Sequence, residues 1–181
     1  SHGVYQKLVM KAMEPWPIPR KILVVRKVQN SIKDSSFAHV KRILVDLGIY
    51  QYCRINKSDM EITLPNGAGF LFKGLDDPEK IKSIEGLSDI AMEEATEFKL
   101  EDYLQLNLRL RDVRHKYKQL FLMFNPVSKA NWVYQYFFAE GAPARNDGKI
   151  YHSTYHDNRF LDDITRMELE RLKERNPAYY S

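Results

Sequence analysis

The sequence contains one cysteine, Cys53, in 181 residues. No internal disulfide framework is therefore possible, and a reducing compartment fits. Set between Tyr52 and Arg54, that thiol reads as a packing residue rather than a nucleophile. No apolar run approaches the roughly 20 residues of a membrane span, and no signal peptide is present. Internal repeats and low-complexity segments are absent too. So is any G-x-x-x-x-G-K-[ST] phosphate loop, and the chain opens at Ser1 without an initiator methionine, as a fragment does. What is present is ordinary for a globular chain: 44% hydrophobic and 29% charged residues, enough at this length for one domain with a real core. The balance of 28 Lys+Arg against 24 Asp+Glu gives +4. That permits an anionic partner without demanding one.

Hydrophobic spacing divides the chain into alternating elements. "GVYQKLVMKAM" places Tyr5, Leu8, Val9 and Met13 on one helical side, and three prolines in "EPWPIPR" then break it. "KILVVRK" reads as a strand buried on both faces. "DSSFAHVKRILVDLG" opens on capping residues, spaces Phe37, Val40, Ile43, Leu44 and Leu47 as a helix, and ends in Gly48. "MEITLPNGAGFLFKG" alternates around Asn-Gly, a hairpin signal. "DIAM" and "QLFLMFNP" are short buried strands, whereas "ANWVYQYFFAEG" and "NRFLDDITRMELERLKERN" are amphipathic helices. "LQLNLRLRD" alternates like a strand but follows residues that favour helix, so its state stays open. Strands separated by helices imply a largely parallel α/β sheet.

Two strand ends carry chemistry. In "LSDIAMEEATEF" an apolar run climbs to the adjacent carboxylates Glu93 and Glu94. Residues at the carboxyl ends of parallel strands face the ligand crevice. Carboxylates there can hold Mg²⁺, and one can take a proton from an attacking water. The plainer alternative is that "EEATEF" opens a surface helix, where glutamates favour the positive terminus. A second strand ends in "FNPVS", with Asn125 locked by Pro126. That is either a crevice residue or a simple turn.

Strand–EEATEF followed by strand–FNPVS resembles the ATPase domain of the large terminase subunit, the DNA-packaging motor of tailed phages. "RKILVVRKVQNSIKDSSF", "LPNGAGFLFKGLDDPEKIKSIEG", "YHSTYHDNRFL" and "NPAYYS" extend the resemblance over essentially the whole chain. It implies an α/β fold: a RecA-like P-loop NTPase core of the additional-strand catalytic-glutamate type, its largely parallel sheet flanked by helices. Residues 1–175 would be the ATPase domain and 176–181 the start of a linker toward a nuclease domain. By the same resemblance Glu93 binds Mg²⁺, usually through water, and Glu94 deprotonates the water attacking the γ-phosphate of ATP. Asn125 falls in the motif that relays hydrolysis to movement. Glutamate at 93, where many such ATPases carry aspartate, leaves direct against water-mediated contact open.

The resemblance also implies a phosphate loop upstream, with Ser1 as its last, Mg²⁺-coordinating hydroxyl; a residue left by cloning is the other reading of Ser1. Residues 1–181 alone would then not hydrolyse ATP. The implied partners are double-stranded DNA, the portal protein, a small terminase subunit and other copies in a ring, with no membrane. The implied setting is the cytoplasm of an infected bacterium, and the full protein would also be an endonuclease. Two rivals stand beside this: a helicase-type P-loop ATPase, and a non-enzymatic binding module. Smaller candidates are His152 and His156, four apart in a stretch that reads as extended, as a metal pair or, more simply, as ordinary polar contacts, and Arg26 or Lys73 as a positive group near the crevice. The basic run Arg109, Arg111, Arg114, Lys116 and Lys118 reads as a solvated loop, or as a contact for DNA phosphates or a neighbour's nucleotide. "WVYQYFF" reads as core packing.

Overall fold

The structure, a computed structural model, describes residues 1–75, 81, 83–125, 128–144, 148–157 and 162–175. It divides into two compact units, residues 1–143 and 144–181. The first is built on a six-stranded mixed sheet ordered β2-β3-β4-β1-β5-β6. The strands are β1 Lys21–Arg26, β2 Arg54–Asn56, β3 Glu61–Thr63, β4 Gly69–Gly74, β5 Asp89–Glu93 and β6 Gln119–Met123. β4, β1, β5 and β6 run parallel, while β2 and β3 add an antiparallel edge. The helices described in this unit include α1 His2–Met13, α2 Ala38–Asp46, α3 Leu100–Asn107 and α4 Trp132–Phe137.

The apolar run of β1 explains the layering. Successive strand side chains point to opposite faces. Ile22 and Val24 join one buried cluster with Tyr5, Leu8 and Val9 of α1 and Val40, Ile43 and Leu44 of α2. Leu23 and Val25 join a second cluster with Ile90 and Met92 of β5, Leu106 of α3 and Val133 of α4. Helices thus cover both faces, as an apolar parallel sheet requires.

Polar contacts set the direction of α1. Near its carboxyl end, Lys11 Nζ lies 2.5 Å from Asp89 Oδ1, at the start of β5, and 2.9 Å from Gln119 Oε1, at the start of β6. Asn66, in the β3–β4 turn, donates to the Ala12 carbonyl at 2.7 Å. Nearer its start, Tyr5 lies beside Glu93, where β5 ends. The helix therefore runs antiparallel to β5 and brings its amino end toward the carboxyl edge of the parallel strands.

In the first unit most elements fall where spacing places them, and four places add detail. Ser35 and Ser36 sit in a wide helical turn, Lys33–Phe37, and neither caps α2; the Ser36 hydroxyl is spent on Glu93. Leu47 lies beyond α2 and is exposed. "LQLNLRLRD" completes α3 and then leaves it: Leu106 is buried, while Leu104 and Leu108 on either side face solvent. Three-residue β2 gave no readable period.

In the second unit α5, Asp163–Arg175, is opened by Asp162, whose carboxylate accepts from the Thr165 backbone N–H at 2.9 Å. "HSTYH" is not extended throughout: Tyr155–Asp157 forms a short 3₁₀ turn, held by the Asp157 carboxylate on the Thr154 N–H at 2.7 Å. Pro126, part of the "FNPVS" reading, and residues 176–181, the expected linker, lie outside the described residues.

Candidate active site

Strand alternation puts Glu93 on the face of β5 that carries Ala91, beneath α1 and α2. It is 8% exposed. A carboxylate taken that far out of water must be compensated. Ser36 donates a hydrogen bond to Oε2, Ser35 Oγ lies 3.5 Å from the same atom, and Arg26 Nε stands 3.6 Å away. All three contacts converge on Oε2, and Oε1 makes none of them. Arg26 is itself placed by Ser35, which accepts from Nη1 at 3.0 Å. Tyr5 completes the surround. Burial, and then the Glu93 charge, push its hydroxyl far above the ordinary tyrosine range, so it stays neutral.

Glu94 is different in kind. Its φ of 55° and ψ of 52° lie in the left-handed region, which costs a residue with a Cβ about 1–2 kcal/mol. The turn that follows, Ala95–Glu97, has three residues, and α3 begins only at Leu100. Glu94 therefore does not open a helix of the kind that would explain it as a terminal charge. The turn is fastened from the far side of the chain: Trp132 Nε1 donates to the Ala95 carbonyl at 3.1 Å and Asn131 Nδ2 to the Thr96 carbonyl at 3.0 Å. Asn131 also caps α4 by accepting from the Val133 N–H. Within "WVYQYFF", Val133 is buried in the core, and the half-buried Trp132, Tyr136 and Phe137 pack around Tyr103 at 5.5–5.6 Å between ring centres.

Glu93 is the register partner of Met123 across the β5–β6 pair. Asn125, two residues further on, is exposed just past the carboxyl end of β6. Ser1 stands at the N-cap of α1, where its carbonyl accepts from the Val4 and Tyr5 N–H groups at 3.0 and 3.1 Å. Its hydroxyl makes no capping bond. Four expected residues thus meet one edge of the sheet or the helix directed toward it.

The positive groups separate clearly. Arg26 is beside Glu93, whereas Lys73 Nζ donates to the Asp59 carbonyl at 2.9 Å in the β2–β3 turn. His156 stands 3.7 Å from Glu170 within the second unit. Among the described residues no three His, Cys, Asp or Glu side chains gather as a metal site. Cys53 is half-buried and donates to the Ile49 carbonyl, and burial pushes its thiol up. Local spacing missed Ser35, Ser36, Tyr5, Asn131 and Trp132, because each acts on a partner more than thirty residues away.

A largely parallel sheet with helices on both faces is an α/β fold of the RecA-like type. The large terminase of a thermophilic bacteriophage shares it, with a TM-score of 0.74 at 18% identity over 93% of this chain and 41% of that one. That terminase has also been solved with ATP-γ-S, where the TM-score is 0.70 at 18% identity, over 93% of this chain and 40% of that one. The model of the phage terminase large subunit family matches residues 1–181, and the chain belongs to that family. It is 32% identical to the PBSX phage terminase large subunit of Bacillus subtilis (strain 168), over 99% of this chain and 44% of that protein. It is 30% identical to the terminase large subunit of Bacillus phage SPP1, over 90% of this chain and 40% of that one. The chain thus spans about two fifths of the length of the curated relatives it matches.

Proposed function

We propose that these residues are the ATPase domain of a DNA-packaging motor, coupling ATP hydrolysis to translocation of double-stranded DNA into an empty phage head. The observation that carries the reading is the contrast at the end of β5. Glu93 is held by groups that meet a single oxygen, while Glu94 is turned out of the strand into a strained conformation. Strain of this kind gathers at functional sites.

Glu93 and the Ser1 hydroxyl are hard oxygen donors of the sort Mg²⁺ takes, and the Glu93 oxygen outside the Ser36–Arg26 cluster suits a metal-bound water. Bound there, the ion would neutralise charge on the β- and γ-phosphates. Glu94 accepts a proton from water as its oxygen bonds to the γ-phosphorus, and the bond to the ADP oxygen breaks. Asn125, beyond the adjoining strand, registers loss of the γ-phosphate. The glycines and lysine of the phosphate loop are supplied upstream of Ser1. β6, paired among the described residues only with β5 and with Leu120, Phe121 and Leu122 half-buried, offers a preceding strand its place in the sheet.

In this reading residues 1–175 form the ATPase domain, residues 176–181 lead to a nuclease domain, and residues 1–181 alone do not turn over. The motor works as a ring of copies on the portal, with a small terminase subunit, in the cytoplasm of the infected bacterium. ATP hydrolysis by the full-length protein tests it, with duplex, with single strands and without DNA, comparing wild type with Glu94→Gln. Turnover is expected to rise with duplex and to fall by a factor of about 10² or more in the variant, with folding and ATP binding intact. Preferential stimulation by single strands would favour a helicase. Unchanged turnover in the variant would remove Glu94 from the chemistry.

A further inference from the structure

The sheet's other edge carries the basic run. Residues 108–118 join α3 to the start of β6, so they lie at the amino ends of the parallel strands. β5 separates that edge from Glu93 by four residue steps, or about 13 Å.

The run is not a loose loop. Arg20 Nη2 donates to the Tyr117 carbonyl at 2.7 Å, and Lys11 Nζ lies 4.4 Å from the centre of the Tyr117 ring. His115 is buried against the segment at Gly86. Asp112, the one acid of the run, is consumed internally. Its carboxylate takes Arg114 Nε at 3.0 Å and Nη2 at 2.6 Å, and its carbonyl takes Lys118 Nζ at 3.1 Å. Arg111, just before Asp112, and Lys116, between Arg114 and Lys118, are exposed and have no anionic partner among the described residues. A pinned backbone that neutralises its own acid and leaves cations facing water differs from a charge run kept for solubility.

We propose that this amino edge, through Arg111 and Lys116, is a contact for the phosphate backbone of the translocated duplex. The partner is named from the reading above and rests on it. Cations divided by an internal ion pair suit a repeating anion better than one triphosphate, which takes convergent donors. The placement also separates DNA grip from hydrolysis, leaving β5 and β6 as the rigid connection between them.

The test is binding of the full-length protein to a short mixed-sequence duplex between about 50 and 200 mM salt. Wild type is compared with Arg111→Ala/Lys116→Ala, both changes at exposed positions. Removing two phosphate contacts is expected to lower the slope of log K against log salt by about 1.8, with DNA-free ATP hydrolysis unchanged. If wild type binds duplex and the double variant keeps its slope, this inference falls and the motor reading stands. If instead DNA-free hydrolysis drops and the slope is kept, the edge serves a neighbouring copy's nucleotide and the inference is likewise overturned. If wild type hydrolyses ATP but binds no duplex, the motor reading falls and takes this one with it.

Discussion

Ser36 and Glu93 are 57 residues apart in the chain, yet the serine hydroxyl donates directly to the glutamate's Oε2 with both side chains shielded from solvent. The contact joins the turn before α2 to the end of β5, across the boundary between helix layer and sheet. It also fixes which carboxylate oxygen is occupied, and so which remains for other ligands. A hydrogen bond to a charged group contributes about 1.5–3 kcal/mol, and Ser36→Ala should lose stability of that order in urea unfolding. Ser36→Ala combined with Glu93→Gln should cost less than the sum of the single changes. Strict additivity in the cycle would mean that the two groups do not interact.

The opposite end of β5 makes a stronger demand. Asp89 is fully buried and holds two cations, Lys11 at 2.5 Å and Arg20 at 2.7 Å, with Ser88 Oγ donating at 2.8 Å. Asp89→Asn would leave both cations without their counter-charge. Breaking such a pair from one side costs about 3–5 kcal/mol. The urea midpoint should fall accordingly with the m-value kept. Lys11→Met should be milder, since Arg20 still neutralises Asp89 and burial already lowers the Lys11 pKa. Equal losses for both variants would show that the carboxylate is not the centre of the cluster.

These two clusters mark where sequence reading succeeded and where it stopped. Period and apolar runs delivered α1, β1, α2, the β3–β4 hairpin, β5 and β6, because each buries a face its own spacing declares. They delivered Glu93 and Glu94 as a strand-end pair. They did not deliver the partners. Ser35 and Ser36 look like caps locally, and only folding brings them to Glu93. Lys11 occupies an amphipathic helix like any surface lysine, until Asp89 is seen beneath it. The left-handed turn at Glu94 was invisible as well, since glycine or asparagine is the usual occupant.

His115 should make the fold sensitive to acid. It is 6% exposed, and burial, followed by the Arg20 charge, lowers its pKa. The unfolded chain therefore takes up a proton near the ordinary histidine value of about 6.5, while the folded chain does not. The contribution is fully present above that value and is lost as pH falls through it toward the lowered folded value. Asp112 and Arg114, which also face the ring, pull in opposite directions. Urea midpoints measured from pH 8 to about pH 5 should decline more steeply for wild type than for His115→Gln. Parallel curves would rule His115 out as the source.

The backbone of Glu94 offers a test of what its side chain is for. At φ 55° a glycine sits without the Cβ clash that glutamate bears. Glu94→Gly should therefore stabilise the fold, by up to about 1 kcal/mol once the added freedom of the unfolded chain is offset. Glu94→Gln keeps the Cβ and should leave stability nearly unchanged. Both should lower turnover in the full-length protein by a factor of about 10² or more if the carboxylate is the base. A chain that becomes more stable as it loses activity has kept a strained residue for its chemistry. Were Glu94→Gly destabilising instead, the fastening of the turn by Trp132 and Asn131 would depend on the glutamate itself. The residue would then be a structural element of the β5–α3 connection, and its claim to the water molecule would weaken.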